Sequence, residues 1–417
     1  MKKIFKYAML FIVACNMTIG FTSCDDDDNK GSNDNVYADK SYGNAAMAAC
    51  DDLTDLLIQA NAAIGSASLT AEQEAELKAI LENDVDNVIV PTYKELADAV
   101  ELLHNALGDL SSSQVTQKNV NDACNAFKTA RAEWEKSEAF LMGPAAGFDI
   151  DPHIDSWPLN RNALHDYFKN PTDEIEDESI LGFHALEFIL FRNGQPRNVA
   201  EFRGNDTYKG FSDITGAQEL AYAEAVIKDL LNHVYELQVS WDPSDTQRLA
   251  AVQAAGLQYE TETYGQNFGW NLKNAGASNS TFPTLKAAIQ QVLSLDDGSC
   301  VGISNEVGTA KIANPFAAGD ISYVESPYSY NSITDFQNNI RSIENVWYGN
   351  RNGANGTATH SFHKFFAINN PSLGQKVEAA ISDAINKIGR MPAPFVKYVS
   401  VVWNKVFEDA ELVEYDD

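Results

Sequence analysis

Apolar residues recur at the spacing of an α-helix along almost the whole chain, and this periodicity limits the fold more than any other feature. Segments that alternate apolar and polar residues, as half-buried strands do, are nearly absent. Thr70 followed by Gln73 is the pattern of a capping box at a helix start. We therefore predict an all-α fold. The predicted helices cover residues 45–63, 71–82, 88–107, 115–141, 180–191, 218–237, 246–272, 282–295, 333–348, 373–388 and 394–413.

Two short echoes in the sequence suggest internal repetition. Pro91-Thr92-Tyr93-Lys94 returns as Pro283-Thr284-Leu285-Lys286, and Phe183-His184 returns at a similar offset as Phe362-His363. Repetition at a fixed offset is the mark of duplicated structural units. We predict two related up-and-down helical bundles, which an internal duplication would explain. Their predicted bounds are residues 44–210 and residues 211–417.

The first 23 residues are typical of a secretory signal. Three lysines precede an apolar core at residues 7–21, which is too short and too early for a membrane-spanning helix. Ser23 stands directly before Cys24, an arrangement that resembles a bacterial lipoprotein cleavage site. We predict a lipoprotein signal peptide at residues 1–23 and a lipid on Cys24 that tethers the protein to a membrane. The alternative is ordinary signal cleavage beside an incidental cysteine.

Residues 24–43 are predicted to form an acidic, flexible tether. Four aspartates follow Cys24 directly, and residues 29–42 are rich in Gly, Ser, Asn and Asp. An acidic run after a lipidated cysteine resembles the surface-export signal of Bacteroidetes lipoproteins. We therefore expect an outer-membrane lipoprotein that is exposed at the cell surface or else faces the periplasm. A solvated charge run without a sorting role is the alternative.

Charge and cysteine content limit the partners and the cross-links. The formal net charge is −29 at pH 7, which would repel a phosphate backbone, so nucleic acid is excluded as a partner. Cations and proteins of the cell envelope remain compatible with such a charge.

Apart from Cys15 and Cys24, the cysteines are Cys50, Cys124 and Cys300. They allow at most one disulfide, and their spacing does not select a pair.

The pair His184 and Glu187 is the strongest candidate for chemistry. Both residues lie in the apolar stretch 180–191, and positions three apart share one face of a helix. A buried imidazole and carboxylate are unfavourable unless they bind a ligand or each other. The pair therefore predicts a metal site, a ligand pocket or a satisfied polar network in the core.

Polar and aromatic residues gather in three further places. The first is the end of the helix predicted at 115–141, the second is the loop after it, and the third lies far downstream. The candidate ligand-binding residues there are Arg131, Trp134 and Glu138, then Asp155 and Trp157, then Glu325. His104, His165 and His233 are expected to be ordinary helix histidines, and His360 and His363 surface histidines on a loop.

Residues 182–188 (GFHALEF) match the G-x-H-x-x-E signature of the imelysin family, which this chain resembles. Supporting motifs cover nearly the whole chain beyond the tether, and their order and combination are specific. They are PTY at 91–93, the R-x-x-W and E-x-F-x-x-G-P pattern at 131–144, IDSWP at 154–158, VESPYS at 324–329 and NSITDF at 331–336.

The resemblance implies a pair of helical bundles, a lipoprotein or periplasmic location and a link to iron acquisition. Related domains form the periplasmic component of elemental-iron uptake systems, and some members are called peptidases. The resemblance also implies that His184 and Glu187 are functional positions and that Gly182 allows close helix packing. The companion positions that it implies are Glu138, Asp155, Trp157 and Glu325.

Three functions are compatible with these residues. The first is binding of iron, or of an iron-bearing ligand, in metal acquisition, because an imidazole with carboxylates suits such ions. The second is a metallopeptidase, with zinc or iron held by His184, Glu187 and a third ligand; the chain has no HExxH motif, so no complete peptidase site is visible. The third is a receptor for a non-metal ligand, a haem or an envelope protein.

Overall fold

The computed structural model describes residues 36–112, 114–172, 174–295, 298–405 and 407. The predicted signal peptide at 1–23, the predicted lipidation site Cys24 and the predicted tether as far as residue 35 lie outside the described residues. Among the described residues, no helix has both the length and the apolar character needed to cross a membrane.

The described chain is built almost wholly of helices, which confirms the predicted all-α class. The α-helices are α1 (Ser41–Gly65), α2 (Ala71–Asp84), α3 (Val90–Ser112), α4 (Gln117–Glu135), α5 (Pro144–Gly147), α6 (Asp151–Asp155), α7 (Arg161–Lys169), α8 (Gly182–Leu190), α9 (Val199–Phe202), α10 (Gly216–Trp241), α11 (Thr246–Ala255), α12 (Phe268–Lys273), α13 (Leu285–Gln290), α14 (Cys300–Glu306), α15 (Asn314–Phe316), α16 (Ser332–Tyr348), α17 (Phe362–Asn369), α18 (Pro371–Gly389) and α19 (Phe395–Val402).

Short 3-10 and π-helical segments and one hairpin complete the described structure. The 3-10 helices are Val36–Ala38, Glu138–Phe140, Glu178–Ile180, Ile321–Tyr323 and Gly353–Asn355. The π-helical segments are Val85–Ile89, Gln291–Leu295 and Val307–Ala313. The hairpin pairs β1 (Phe191–Arg192) antiparallel with β2 (Gln195–Pro196). Its turn residues, Asn193 and Gly194, both have positive φ, the conformation that a two-residue hairpin turn requires.

The long helices pack across the two halves of the sequence. Helix α3 packs against both α4 and α10, and α1 packs against α18. The chain from Val36 onward accordingly forms one compact unit. The domain boundary between residues 210 and 211 and the internal duplication stay predictions.

Residues 36–43 differ from the flexible tether that was expected over them. Helix α1 begins at Ser41, and Gly43 is buried within it. The Gly43 N–H donates to the Tyr398 hydroxyl at 3.1 Å, and that hydroxyl donates to the Asp39 carbonyl at 2.6 Å. Contacts with the C-terminal helix α19 therefore order this segment, and nothing in its polar composition could predict them.

Local signals account for several helix ends. Thr70 and Gln73 form the predicted capping box at the start of α2. Helix α4 ends at Glu135, earlier than predicted, and the Ser137 hydroxyl donates to the Trp134 carbonyl at 2.6 Å where the helical hydrogen bonds stop. Helix α11 ends where Gly256 adopts a left-handed conformation, so the helix predicted at 246–272 is two helices.

Gly182 brings α8 and α6 into close contact. Its φ is +75°, and a Cβ at this position would lie 2.3 Å from the Ile154 carbonyl oxygen. Only glycine fits such an approach without strain. The contact seats α6, which carries Asp155, against the start of α8, which carries His184.

The remaining cysteines serve as core residues. Cys50, Cys124 and Cys300 are all buried and unpaired by disulfides. Free cysteine in a core behaves as a small apolar side chain.

Candidate functional site

A single guanidinium, that of Arg131 on α4, lies at the centre of the candidate site. Arg131 is fully buried and pairs with acids from four parts of the chain. Its Nη2 lies 2.7 Å from Glu325 Oε1 and 2.5 Å from Glu135 Oε1. Its Nη1 contacts Asp155, and its Nε lies 3.8 Å from Asp335 Oδ2. The burial of this cation is therefore offset by surrounding negative charge.

His184 on α8 lies beside this guanidinium and between two carboxylates. Its Nε2 is 3.2 Å from Asp155 Oδ1 and 3.4 Å from Arg131 Nη2, and its Nδ1 is 3.5 Å from Glu187 Oε2. Burial and the charge of Arg131 lower the pKa of His184, but Asp155 and Glu187 outweigh them and raise it to about 9. The imidazole is therefore cationic at neutral pH.

Asp155, at the end of α6, joins the two cations. Burial alone would raise its pKa, but the charges of Arg131 and His184 outweigh burial and hold the pKa far below its ordinary value. The Trp134 indole Nε1 donates to the second oxygen of Asp155 at 2.7 Å. Trp134 and Arg131 are three residues apart on α4, so one face of that helix binds both oxygens.

Glu187 connects α8 to the loop before α16. Its Oε1 accepts from the Tyr328 N–H at 3.0 Å and from the N–H and hydroxyl of Ser329, each at 2.7 Å. Its Oε2 is buried and has no hydrogen-bond partner. One oxygen of Glu187 thus positions the loop, while the other forms the ion pair with His184.

A second buried cation, Lys311, lies on the π-helical segment Val307–Ala313 and partly neutralises the acidic groups. Its Nζ donates to Glu325 Oε1 at 3.1 Å. Even so, carboxyl groups outnumber cations in this cluster. Burial raises the pKa values of Glu135, Glu138 and Asp335, the last to about 7, although Arg131 or Lys311 opposes it. The acids are Glu135, Glu138, Asp155, Glu187, Glu325 and Asp335, and the cations are Arg131, Lys311 and His184.

A cleft lies against His184 and Glu187, and its volume of about 570 Å³ includes space that is open to solvent. Trp157 and Tyr328 contribute aromatic walls, and Arg161 on α7 contributes a further cation. Trp157 is held edge-to-face against Tyr323, with ring centres 4.4 Å apart, and its Nε1 is buried without a hydrogen-bond partner. The cleft therefore combines charged groups of both signs with aromatic surface, as small-molecule sites do.

Comparison with known proteins identifies the family. The Imelysin (Peptidase M75) family model matches residues 89–411, which is well over half of the chain. The chain belongs to the imelysin family. The resemblance recognised in the G-x-H-x-x-E signature is thereby confirmed.

Individual proteins are similar to this chain over most of their length. Iron-regulated protein A of Synechococcus elongatus is 27% identical over 310 residues, 74% of each chain. The crystal structure of an iron-regulated protein A precursor from Parabacteroides distasonis is 27% identical, with a TM-score of 0.67 over 81% of this chain and 92% of that one. An imelysin-like protein from Psychrobacter arcticum, 15% identical with a TM-score of 0.51 over 81% and 93%, shares the fold.

The structure of this imelysin-family chain brings the candidate residues of all four sequence clusters together. Arg131 contacts Asp155, His184 and Glu325 directly, His184 also contacts Asp155, and Glu187 joins them through His184. Glu138, on the 3-10 helix after α4, has one oxygen near those of Glu135 and Asp155. Three further candidate residues surround the cluster. Trp134 donates to Asp155, Trp157 forms a wall of the cleft, and Gly182 packs against α6.

Two sets of side chains in this cluster have ligand atoms within 4.8 Å of one another, close enough for one metal ion. They are Asp155, His184 and Glu325, and Glu135, Glu138 and Asp155. Arg131 already donates to Asp155 and Glu325, so an ion held by the first set would have to displace a buried guanidinium. Carboxylates and one imidazole would suit iron chemically, but here they are neutralised by an internal cation.

Several residues of the site were not among the sequence candidates. Lys311 carried one usable signal, since it is the lone charged residue in the stretch 307–313. Tyr328 lies within the VESPYS motif at 324–329, which was a signal for it. Arg161 carried none, because its place at the cleft depends on how α7 lies relative to α8.

Proposed function

We propose that this protein is a binding protein of the cell envelope whose cleft beside His184 and Glu187 takes up an iron-bearing ligand during metal acquisition. The relatives named iron-regulated protein A support the link to iron. The secretory and lipoprotein signals at residues 1–24 support the envelope location. The lipid predicted on Cys24 would then anchor the protein to the membrane.

The position of Arg131 is the observation that favours a liganded form of iron over the bare ion. A bare cation and the guanidinium would compete for the same oxygens of Asp155 and Glu325. Removing either partner of a buried pair is strongly unfavourable, by about 3–5 kcal/mol. A chelate that stays in the cleft needs no such exchange.

The groups that line the cleft indicate the chemistry of this ligand. Protonated His184 and Arg161 would attract carboxylates, and Trp157 adds an aromatic wall. Glu187 Oε2, which lies 3.5 Å from His184 Nδ1, would accept from a hydroxyl group that replaces this contact. An anionic ferric chelate of the hydroxycarboxylate type supplies both kinds of group.

Calorimetric titration with ferric citrate tests the proposal, with iron-free citrate and Fe(II) as comparison ligands. We expect ferric citrate to bind the full chain and to bind the His184→Gln variant at least about tenfold more weakly, because a charge-assisted contact is lost. His165→Gln is the matched control, since His165 pairs with Asp213 away from the cleft. Equal affinity in all three proteins, or no binding to any of them, would overturn the proposal.

A metallopeptidase is the second candidate, and the proximity of Asp155, His184 and Glu325 is the observation that favours it. Three protein ligands and an open position are the usual catalytic zinc arrangement. This function predicts hydrolysis of an unfolded protein substrate after addition of Zn(II), and loss of that hydrolysis with a chelator. Hydrolysis that survives in His184→Gln would rule it out.

A further inference from the structure

A second group of metal-ligating side chains lies outside the cluster around Arg131. It consists of His153 on α6 and Asp229, His233 and Glu236 on α10. The imidazole rings of His153 and His233 are stacked, with centres 3.8 Å apart and an angle of 16° between their planes. His233 is therefore not the isolated helix histidine that its sequence context suggested.

Both imidazoles turn the same nitrogen towards one carboxylate. His153 Nδ1 lies 2.9 Å from Asp229 Oδ2, and His233 Nδ1 lies 3.4 Å from Asp229 Oδ1. Asp229 and His233 are four residues apart and share a face of α10. One ligand atom from each of the three lies within 4.8 Å of the others. Two imidazoles and a carboxylate are a donor set for zinc, iron or a similar divalent transition metal.

Glu236 is the independent sign that this group is incomplete as it stands. Its side chain is 4% exposed, and its Oε2 lies 3.9 Å from His233 Nε2. This oxygen is buried and has no hydrogen-bond partner. An unpaired buried carboxylate oxygen is unfavourable, so a state of the protein in which it gains a donor is to be expected.

Metal ligation would give Glu236 that donor. His233 Nδ1 now lies 2.9 Å from the Asp229 backbone carbonyl, a distance at which the ring N–H donates to it. If Nδ1 instead ligates a metal, the ring proton moves to Nε2, which faces Glu236. A metal-bound histidine usually donates its other N–H to a carboxylate in this way, and that contact fixes its orientation.

Two features separate this group from the cluster around Arg131. No lysine or arginine in the described part of the chain forms an ion pair with these four side chains, so no cation competes with a metal. The side chains of His153 and Asp229 are 25% and 28% exposed, so an ion can reach them from solvent. We propose that His153, Asp229 and His233 bind a divalent transition-metal ion, with Glu236 as the partner of His233 and water in the open position.

Titration of the full chain with Co(II), followed by its visible absorption, tests this proposal. We expect one bound equivalent in the wild type, weakened at least about 100-fold in both His153→Gln and Asp229→Asn. Glu236→Gln should keep the site but weaken it by about 10–100-fold, because the orienting carboxylate is lost. His165→Gln, which removes a histidine from another ion pair with an aspartate, should leave this equivalent unchanged.

The result of the Co(II) titration does not depend on whether the cleft binds a ferric chelate. His184→Gln should retain this Co(II) equivalent even though it weakens ferric citrate binding. Retention of the wild-type Co(II) stoichiometry and spectrum in His153→Gln, or no bound Co(II) in the wild type, would overturn the proposal. His153 is partly exposed, so its variant provides a folded test protein even if Asp229→Asn is unstable.

Discussion

Ser329 donates twice to Glu187, through its backbone N–H and its hydroxyl, and both hydrogen bonds are 2.7 Å long. These bonds join α8 to a loop that lies more than a hundred residues later in the sequence. The carboxylate of the G-x-H-x-x-E signature therefore positions a wall of the cleft. Its second oxygen, which takes no part in these bonds, lies beside His184 Nδ1 at 3.5 Å.

Two replacements of Glu187 should distinguish the contribution of its charge to stability from that of its hydrogen bonds. Glu187→Ala leaves two backbone N–H groups of the loop without their acceptor, and we expect a loss of about 2–4 kcal/mol in the free energy of unfolding. Glu187→Gln keeps an acceptor oxygen and should lose less than half of that. Urea unfolding of both variants provides the measurement. Equal losses in the two variants would mean that charge, and not loop anchoring, is what Glu187 contributes.

Arg131→Met should be the most destabilising substitution in the site. It leaves buried carboxylates without their shared cation, at an expected loss of about 3–5 kcal/mol in the free energy of unfolding at pH 7. The loss should shrink at pH 5, because protonation neutralises the acids that remain. Arg351→Met is the control, since Arg351 pairs with Glu133 while its side chain is 19% exposed. A comparable loss in the control would contradict the central role of Arg131.

His184 should make the stability depend on pH on the alkaline side of neutrality. Its pKa is about 9 in the folded protein and about 6.5 in an unperturbed histidine. A raised pKa means that its contribution, on the order of 3 kcal/mol, is complete below pH 6.5 and is lost as the pH rises through 9. The stability difference between wild type and His184→Gln, measured by urea unfolding, should therefore narrow between pH 6.5 and pH 9.5. Parallel pH curves for the two proteins would refute this expectation.

Gly182→Ala should disturb the site without touching any of its charged groups. The added Cβ meets the Ile154 carbonyl at 2.3 Å, and the φ of +75° disfavours any other residue. We expect a loss of at least about 1–3 kcal/mol in the free energy of unfolding, with weaker ferric citrate binding because α6 carries Asp155. Gly147→Ala is the matched control, because a Cβ there meets no atom within 4 Å. Thermal unfolding that shifts equally in both variants would contradict this account.

Local spacing was enough to predict the helices and the faces on which some site residues lie. His184 and Glu187 are three residues apart on α8, and Arg131 and Trp134 are three apart on α4, so each pair has one orientation in any helix that contains it. The place of Glu325 came from the family resemblance, since no local pattern connects it with residues nearly two hundred positions earlier.

The rest of the site depends on packing between distant elements, which periodicity does not encode. The pairing of Lys311 with Glu325 requires the π-helical segment to lie against the loop at 324–330. The stacking of His153 on His233 likewise requires α6 to pack against α10. His233 alone looks ordinary in sequence, because both of its unusual neighbours, Asp229 and Glu236, lie at spacings that are common on solvated helices.

The long separation between Arg131 and Glu325 has a consequence for biosynthesis. The two residues are 194 positions apart, so a chain that emerges N-terminus first presents the guanidinium long before its downstream acids exist. Closing so large a loop is entropically unfavourable until the intervening helices have folded. Unfinished or C-terminally truncated chains therefore lack an assembled cleft. If the cleft binds a ligand as proposed, binding would begin only once the whole chain has folded, and immature molecules would not compete for the ligand.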